Sequence, residues 1–214
     1  MSNRHAPLRS ARLFVLAAPS GAGKTTLVKE LVKRNPRLTF SVSYTTREKR
    51  SNETEGEDYF FVTRERFLQL EQQGELLECA RVFDNHYGTG RAQVEARLAE
   101  GHDVILEIDW QGARQVRRSK PDCASIFILP PSLDELERRL RDRRTDSELV
   151  IARRLADAIG DISHWNEFDY VIINDDLRKA VLELESIICD TDGHERNRTD
   201  NPEVRKRVTQ ILPA

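Results

Sequence analysis

APSGAGKTT, residues 18–26, directly follows the apolar run Leu13-Phe14-Val15-Leu16-Ala17 and runs into Leu27 and Val28. A glycine-rich turn between a strand and a helix leaves main-chain N–H groups free to surround an anion, and the positive end of the helix adds to their pull. The stretch matches the phosphate-loop pattern G-x-x-x-x-G-K-[ST] except at its first place, where Ala18 stands. Ala18, Pro19, Ser20, Gly21, Ala22 and Gly23 are therefore expected to wrap the phosphates of a nucleoside triphosphate, with Thr25 and Thr26 opening the helix behind them. Lys24 would reach the β and γ oxygens, and the Thr25 hydroxyl would ligate Mg²⁺. The loop alone does not separate a kinase from a switch or a motor.

Outward from the loop, short apolar runs alternate with longer amphipathic ones, the pattern of a mainly parallel sheet with helices on both faces. Core strands are expected at 12–18, 103–109, 125–130 and 170–174, and helices at 24–35, 90–100, 132–143, 147–160 and 176–189. In the first helix Leu27, Val28, Leu31 and Val32 form one stripe; in the last, Val181, Leu184, Ile187 and Ile188 do the same. The segment 40–89 breaks the rhythm. FSVSYTT, DYFFV and LLECARVF surround a helical stretch at 63–73, which reads as a strand-rich lobe inserted into the core. After Asn197 the chain is polar until Val208, Ile211 and Leu212, so a loosely attached terminal helix is expected there.

The totals narrow the class. In 214 residues, 34 Lys and Arg face 36 Asp and Glu for a formal charge of -2, without the positive excess of a non-specific nucleic-acid binder. Cys79, Cys123 and Cys189 lie far apart with no paired spacing, which suits reduced thiols and a cytosolic setting and implies no metal cluster. Arg9 and Arg12 before LFVLAA imitate the start of a signal peptide, but the apolar run ends at Pro19 and is too short for one. No run approaches the roughly 18 apolar residues that span a bilayer, so no membrane partner is expected.

A second anion site is suggested by SVSYTTREKR, 41–50, where Arg47 and Arg50 can each grip phosphate through two parallel N–H bonds. Two arginines in a polar loop are by themselves usually solvated. The motifs PSGAGKTT, SVSYTTR, GEDYFFV, NHYGT, IDWQGA, IFILPPS and NDD, in this order and spacing, change the balance. Together they resemble guanylate kinase, across about Arg12 to Ile188. The resemblance implies an α/β fold: a P-loop three-layer α/β/α core with a parallel sheet, an inserted nucleoside-monophosphate-binding lobe and a helical lid. Its divisions would be core at 1–39, 90–131 and 156–214, lobe at 40–89 and lid at 132–155.

The reaction implied is Mg²⁺-dependent transfer of the γ-phosphoryl group of ATP to GMP or dGMP, in purine nucleotide metabolism. Arg47, Arg50 and Tyr59 match the family's grip on the GMP phosphate; Ser43, Glu78, Thr89 and Asp109 match its guanine contacts, with Tyr87 beside them. The assignments make chemical sense, because guanine offers N1–H and an amine as donors, whereas adenine would turn an acceptor toward a carboxylate. Such a mismatch discriminates by roughly 10⁴. Arg139, Arg143 and Arg154 match lid residues that close over the phosphates, and Asn174 matches a position near adenine. Glu107, where the family usually has aspartate, would help to arrange Mg²⁺ through water; it and Asp109 are expected to point the same way from one strand.

Three further departures are Asp142 and Arg144 where relatives often have glycine, and REKRSNETEG without the usual proline and glycine, where Asn52 takes the glycine's place. The attacking phosphate oxygen is already ionised, so no catalytic histidine is required. Two alternatives stay open: a guanylate-kinase-like module that binds protein without catalysis, and a kinase for another phosphorylated acceptor. Assembly of identical copies also stays open.

Overall fold

Phe14 and Leu16 turn to one face of a sheet and Leu13, Val15 and Ala17 to the other, and all five are buried. A strand covered on both faces must be apolar throughout, which is why this one reads as an unbroken hydrophobic run. The computed structural model describes residues 10–82, 84–142, 148–191 and 193–212. In chain order the elements are β1 (Leu13–Ala17), α1 (Lys24–Arg34), β2 (Leu38–Phe40), β3 (Ser43–Thr45), β4 (Tyr59–Phe61), α2 (Arg64–Gln72), β5 (Leu76–Val82), β6 (Asn85–Gly90) and α3 (Arg91–Ala99). They continue with β7 (Asp103–Glu107), α4 (Trp110–Ser119), β8 (Ala124–Leu129), α5 (Leu133–Asp142), α6 (Glu148–Ile162), β9 (Tyr170–Ile173), α7 (Leu177–Cys189) and α8 (Pro202–Ile211).

The main sheet is parallel in the order β2-β7-β1-β8-β9, with the strand that leads into the glycine loop at its centre. One face packs on α1 and α7 through Leu27, Leu31, Val181 and Leu184. The other packs on α3, α4, α5, α6 and α8 through Val94, Val116, Leu136, Ile162 and Val208. These are the three layers expected of the core. A second, mixed sheet runs β4-β3-β6-β5 and rests on α2 through Phe67, Leu70 and Leu76.

Four expectations need correction. The strand expected at 103–109 stops at Glu107, because the Asp109 carboxylate accepts from Gly112 N–H and starts α4 as its N-cap. Helix α4 was not expected: its buried residues are Gly112, Ala113 and Val116, with none of the leucines or isoleucines that mark the other core helices. Strand β2 was also missed, being a three-residue edge strand of the main sheet. The terminal helix is not loosely attached. Val204, Val208 and Ile211 recur at four- and three-residue intervals and all lie buried in the core, and Asn201 with Pro202 caps the start.

Candidate active site

The loop between β1 and α1 closes its turn through Ala22 N–H to the Pro19 carbonyl, 3.2 Å. Gly21 and Gly23 sit at φ +94° and +91°, the left-handed region that an L side chain rarely adopts. A Cβ on Gly23 would also stand 2.6 Å from Nδ2 of Asn174. Gly23 caps α1 without any side-chain bond, which suits the first N–H groups of the helix to face an anion. Lys24 Nζ donates to the Ile108 carbonyl at 2.8 Å, at the carboxyl end of β7. Thr25 Oγ1 donates to Glu107 Oε1 at 2.6 Å. A hydroxyl and a carboxylate in contact form an all-oxygen donor pair of the kind Mg²⁺ accepts. Among the described residues no group of three or more His, Cys, Asp or Glu side chains is placed to hold a metal ion.

Two cavities of about 810 and 880 Å³ adjoin this loop and share Ser20, Thr25, Ser43, Tyr59, Tyr87 and Glu107 as walls. They are two halves of one cleft. The first also contains Arg47, Arg50 and Arg154; the second contains Lys24, Glu78 and Asp109. The cleft thus brings Arg47 and Arg50, from the loop after β3, beside the glycine loop.

On the second sheet, register aligns Ser43 with Thr89 and Thr89 with Glu78 across three adjacent strands. Thr89 Oγ1 donates to Glu78 Oε1 at 2.7 Å, and Ser43 Oγ lies 3.4 Å from Thr89 Oγ1. All three are buried. Burial pushes the Glu78 acid up to about 7, with the nearby charge of Asp109 adding to the rise. Asp109 is likewise raised by burial, although Gly112 N–H at 2.8 Å holds its Oδ1.

Arg47 donates to both oxygens of Glu53, Nη2 to Oε1 at 2.6 Å and Nη1 to Oε2 at 3.0 Å, and Nη1 also reaches the Glu48 carbonyl. Partial burial opposes charge on both partners, but the paired hydrogen bonds outweigh it: Arg47 is raised and Glu53 lowered from their ordinary values. Glu53 thus holds the guanidinium through both Nη atoms. The guanidinium plane lies near the rings of Tyr59 and Phe61, at 5.5 and 5.7 Å. Tyr59 meets Tyr87 edge to face at 5.9 Å, and burial pushes its phenol up to about 12, so it stays a hydrogen-bond donor.

The remaining expected residues are placed less directly. Arg139 does not line either half of the cleft: Nε bonds Glu135 at 2.7 Å, and Nη2 and Nη1 reach the carbonyls of Asn174 and Ala22. Asn174 is buried and donates through Nδ2 to the Ala22 carbonyl at 2.8 Å, bracing the glycine loop from behind. Arg154, on α6, faces the cleft together with Arg153. Arg143 and Arg144 lie outside the described residues.

Sequence reasoning missed Glu53, whose only signal is an acid set three residues after Arg50 in a cationic loop. It also missed Asp161 of α6. Burial pushes this acid up to about 6, and it accepts from Trp110 Nε1 at 3.1 Å in the wall of the cleft.

The family model for guanylate kinase matches residues 10–191. The chain belongs to the guanylate kinase family. It is 54% identical over 175 residues to the guanylate kinase of Hydrogenovibrio crunogenus, covering 82% of this chain and 85% of that one. It is 49% identical over 200 residues to the guanylate kinase of Alkalilimnicola ehrlichii, covering 94% and 98%. The crystal structure of guanylate kinase from Anaplasma phagocytophilum superposes with a TM-score of 0.72 at 33% identity, covering 96% of this chain and 97% of that one. Membership of a guanylate kinase family and the P-loop α/β fold therefore agree.

Proposed function

We propose that this chain transfers the γ-phosphoryl group of ATP to GMP, giving ADP and GDP, and that dGMP is also accepted. One observation carries the reading: in a chain of this family, the loop lysine and threonine open onto the same cleft as the buried Glu78, the half-buried Asp109 and the Arg47–Arg50 pair. Main-chain N–H groups from Gly21 to Thr25 would hold the β-phosphate, and Lys24 would exchange the Ile108 carbonyl for β and γ oxygens. Thr25 would hold Mg²⁺, with Glu107 ordering its water; when bound, the ion neutralises charge on the phosphates.

The other end of the cleft is assigned to the acceptor. Arg47 would join Arg50, Tyr59 and Tyr87 on the GMP phosphate. Ser43 and Thr89 would support Glu78 and Asp109, which accept from guanine N1–H and the exocyclic amine. An oxygen of the GMP phosphate attacks the γ-phosphorus and the bond to the bridging ADP oxygen breaks, with no proton to be removed first. Arg139, Arg143 and Arg154, in the lid proposed at 132–155, would cover the transferring group on closure, and Asn174 would lie near adenine. The lobe is proposed at 40–89 and the core comprises the rest. A cytosolic setting fits the free thiols of Cys79, Cys123 and Cys189. Among the described residues no helix is long and apolar enough to cross a membrane.

A coupled assay of ADP release tests the reading, with GMP, dGMP, AMP and ribose 5-phosphate as acceptors. Turnover is expected with GMP and dGMP. Equal use of AMP would refute the roles of Glu78 and Asp109, and no turnover with any acceptor would favour a non-catalytic module.

A further inference from the structure

Strand β5 is an outer strand of the second sheet, bonded to β6 on one side only. An outer strand presents main-chain groups with no partner strand to take them. At Cys79 those groups are nonetheless paired. The side-chain amide of Gln115, on α4, accepts from Cys79 N–H at 3.1 Å and donates to the Cys79 carbonyl at 2.6 Å. One glutamine supplies both bonds that a residue of a neighbouring strand would make.

Position gives this contact its meaning. Cys79 directly follows Glu78, and Gln115 belongs to the helix that Asp109 caps. Between the two carboxylates lies Gly112, whose N–H donates to Asp109 Oδ1 at 2.8 Å. A methyl group on Gly112 would overlap Oε2 of Glu78 and stand 3.3 Å from Asp109 Oδ1. Helix α4 therefore fixes Asp109 through its own N-terminus, fixes the main chain beside Glu78 through Gln115, and leaves room for the Glu78 carboxylate at Gly112.

We propose that α4 is the positioning element for guanine selection, with Gln115 and Gly112 setting the distance between Glu78 and Asp109. The proposal rests on the reading of those two acids as the acceptors of guanine. Glu78 lies on the second sheet and Asp109 at the start of α4, which packs on the main sheet, so the second sheet could shift on the main one and change their separation. Guanine's two donors are on neighbouring atoms, and a displacement of ~1 Å is enough to take one bond outside hydrogen-bonding range. A tie to the main chain at Cys79 holds the adjacent Cα of Glu78 directly, without the play of another flexible side chain.

Steady-state kinetics of Gln115→Ala, Gln115→Met and Gly112→Ala test this, with Glu78→Gln measured alongside. Gln115→Met keeps the bulk of the side chain and removes only its polar bonds. For all three, the KM for GMP is expected to rise about tenfold, with kcat at saturating GMP within about threefold and the KM for ATP unchanged. The preference for GMP over AMP is expected to fall about tenfold as well. Unchanged GMP kinetics in Gln115→Met and Gly112→Ala would overturn the proposal, as would equal losses for ATP and GMP, which mark general damage to the fold. Glu78→Gln separates the two levels: if it leaves GMP use and preference intact, the guanine reading itself fails, whereas if only Glu78→Gln is impaired, the role of α4 fails alone.

Discussion

At one end of the cleft the proposed phosphate ligands are main-chain N–H groups between Gly21 and Thr25; at the other they are the guanidiniums of Arg47 and Arg50 and the phenols of Tyr59 and Tyr87. The first set needs only a local conformation, secured by two glycines at positive φ and by Asn174 behind the loop. The second set consists of long side chains, which must be held by other side chains. Arg47 is held by Glu53, Glu78 by Thr89, and the strand carrying Glu78 by Gln115. A main-chain site is pre-organised by its own dihedrals, whereas a side-chain site depends on a supporting layer.

Substitutions at the two ends should break this comparison to different degrees. The largest effect is expected from Lys24→Ala and Arg47→Ala, each lowering kcat by at least roughly 10²-fold, because each removes charge that stabilises the transferring phosphoryl group. Stopped-time product analysis at saturating ATP and GMP checks it. A fully active Arg47→Ala would remove the phosphate clamp from the scheme.

Next comes Glu53→Ala, which takes away the two bonds that aim Arg47 and the acceptor of the Arg50 N–H. A rise of about tenfold in the KM for GMP is expected, with the KM for ATP unchanged. Initial-rate measurements with each substrate varied in turn would show it. An equal rise for ATP would mean that the supporting layer serves both ends.

Acidity sharpens the comparison further. Glu78 must be ionised to accept from guanine, and burial places its pKa at about 7. The value of kcat/KM for GMP is expected to fall as pH drops through that range, by at most about tenfold between pH ~8 and ~6. In Glu78→Gln this limb should vanish, leaving the second ionisation of the phosphate itself near ~6.

The same shift has a consequence for stability, with a definite sign. Below the ordinary value of 4.5 the acid is neutral in both folded and unfolded chains; above about 7 it is charged in both, and the folded state bears the burial cost. Glu78→Gln should therefore stabilise the ligand-free protein most above about 7, as thermal melts across pH would show. A melting temperature raised equally at all pH values would point to packing instead.

The smallest effect is expected from Arg141→Ala. Its pairs with Glu137 and Glu148 are exposed, and solvent screens such pairs so that they add little to stability. Urea unfolding would detect a larger loss.

The parallel core and the glycine loop were legible in the chain because both are local patterns: β1, β7, β8 and β9 are short, mostly apolar runs, and the loop is contiguous from Ala18 to Thr26. Elements whose stability comes from elsewhere were not. Helix α4 buries only small residues, and β2 is three residues long at a sheet edge. Helix α8 looked loose because its three apolar residues gain their meaning only when the core receives them.

For the cleft the division is similar. Residue types and their order by themselves led to the expectation of a phosphate site after β1, with the cationic, tyrosine-bearing segments beside it. Only the tertiary structure decided that Arg139 and Asn174 turn to the back of the loop, that Asp109 caps a helix instead of extending a strand, and that Glu53 and Gln115 support the other end. The physical reason is reach. A loop's conformation and a strand's burial are written in neighbouring residues, but the partner of a side chain, 36 positions away for Gln115 and Cys79, is chosen by how the sheets pack.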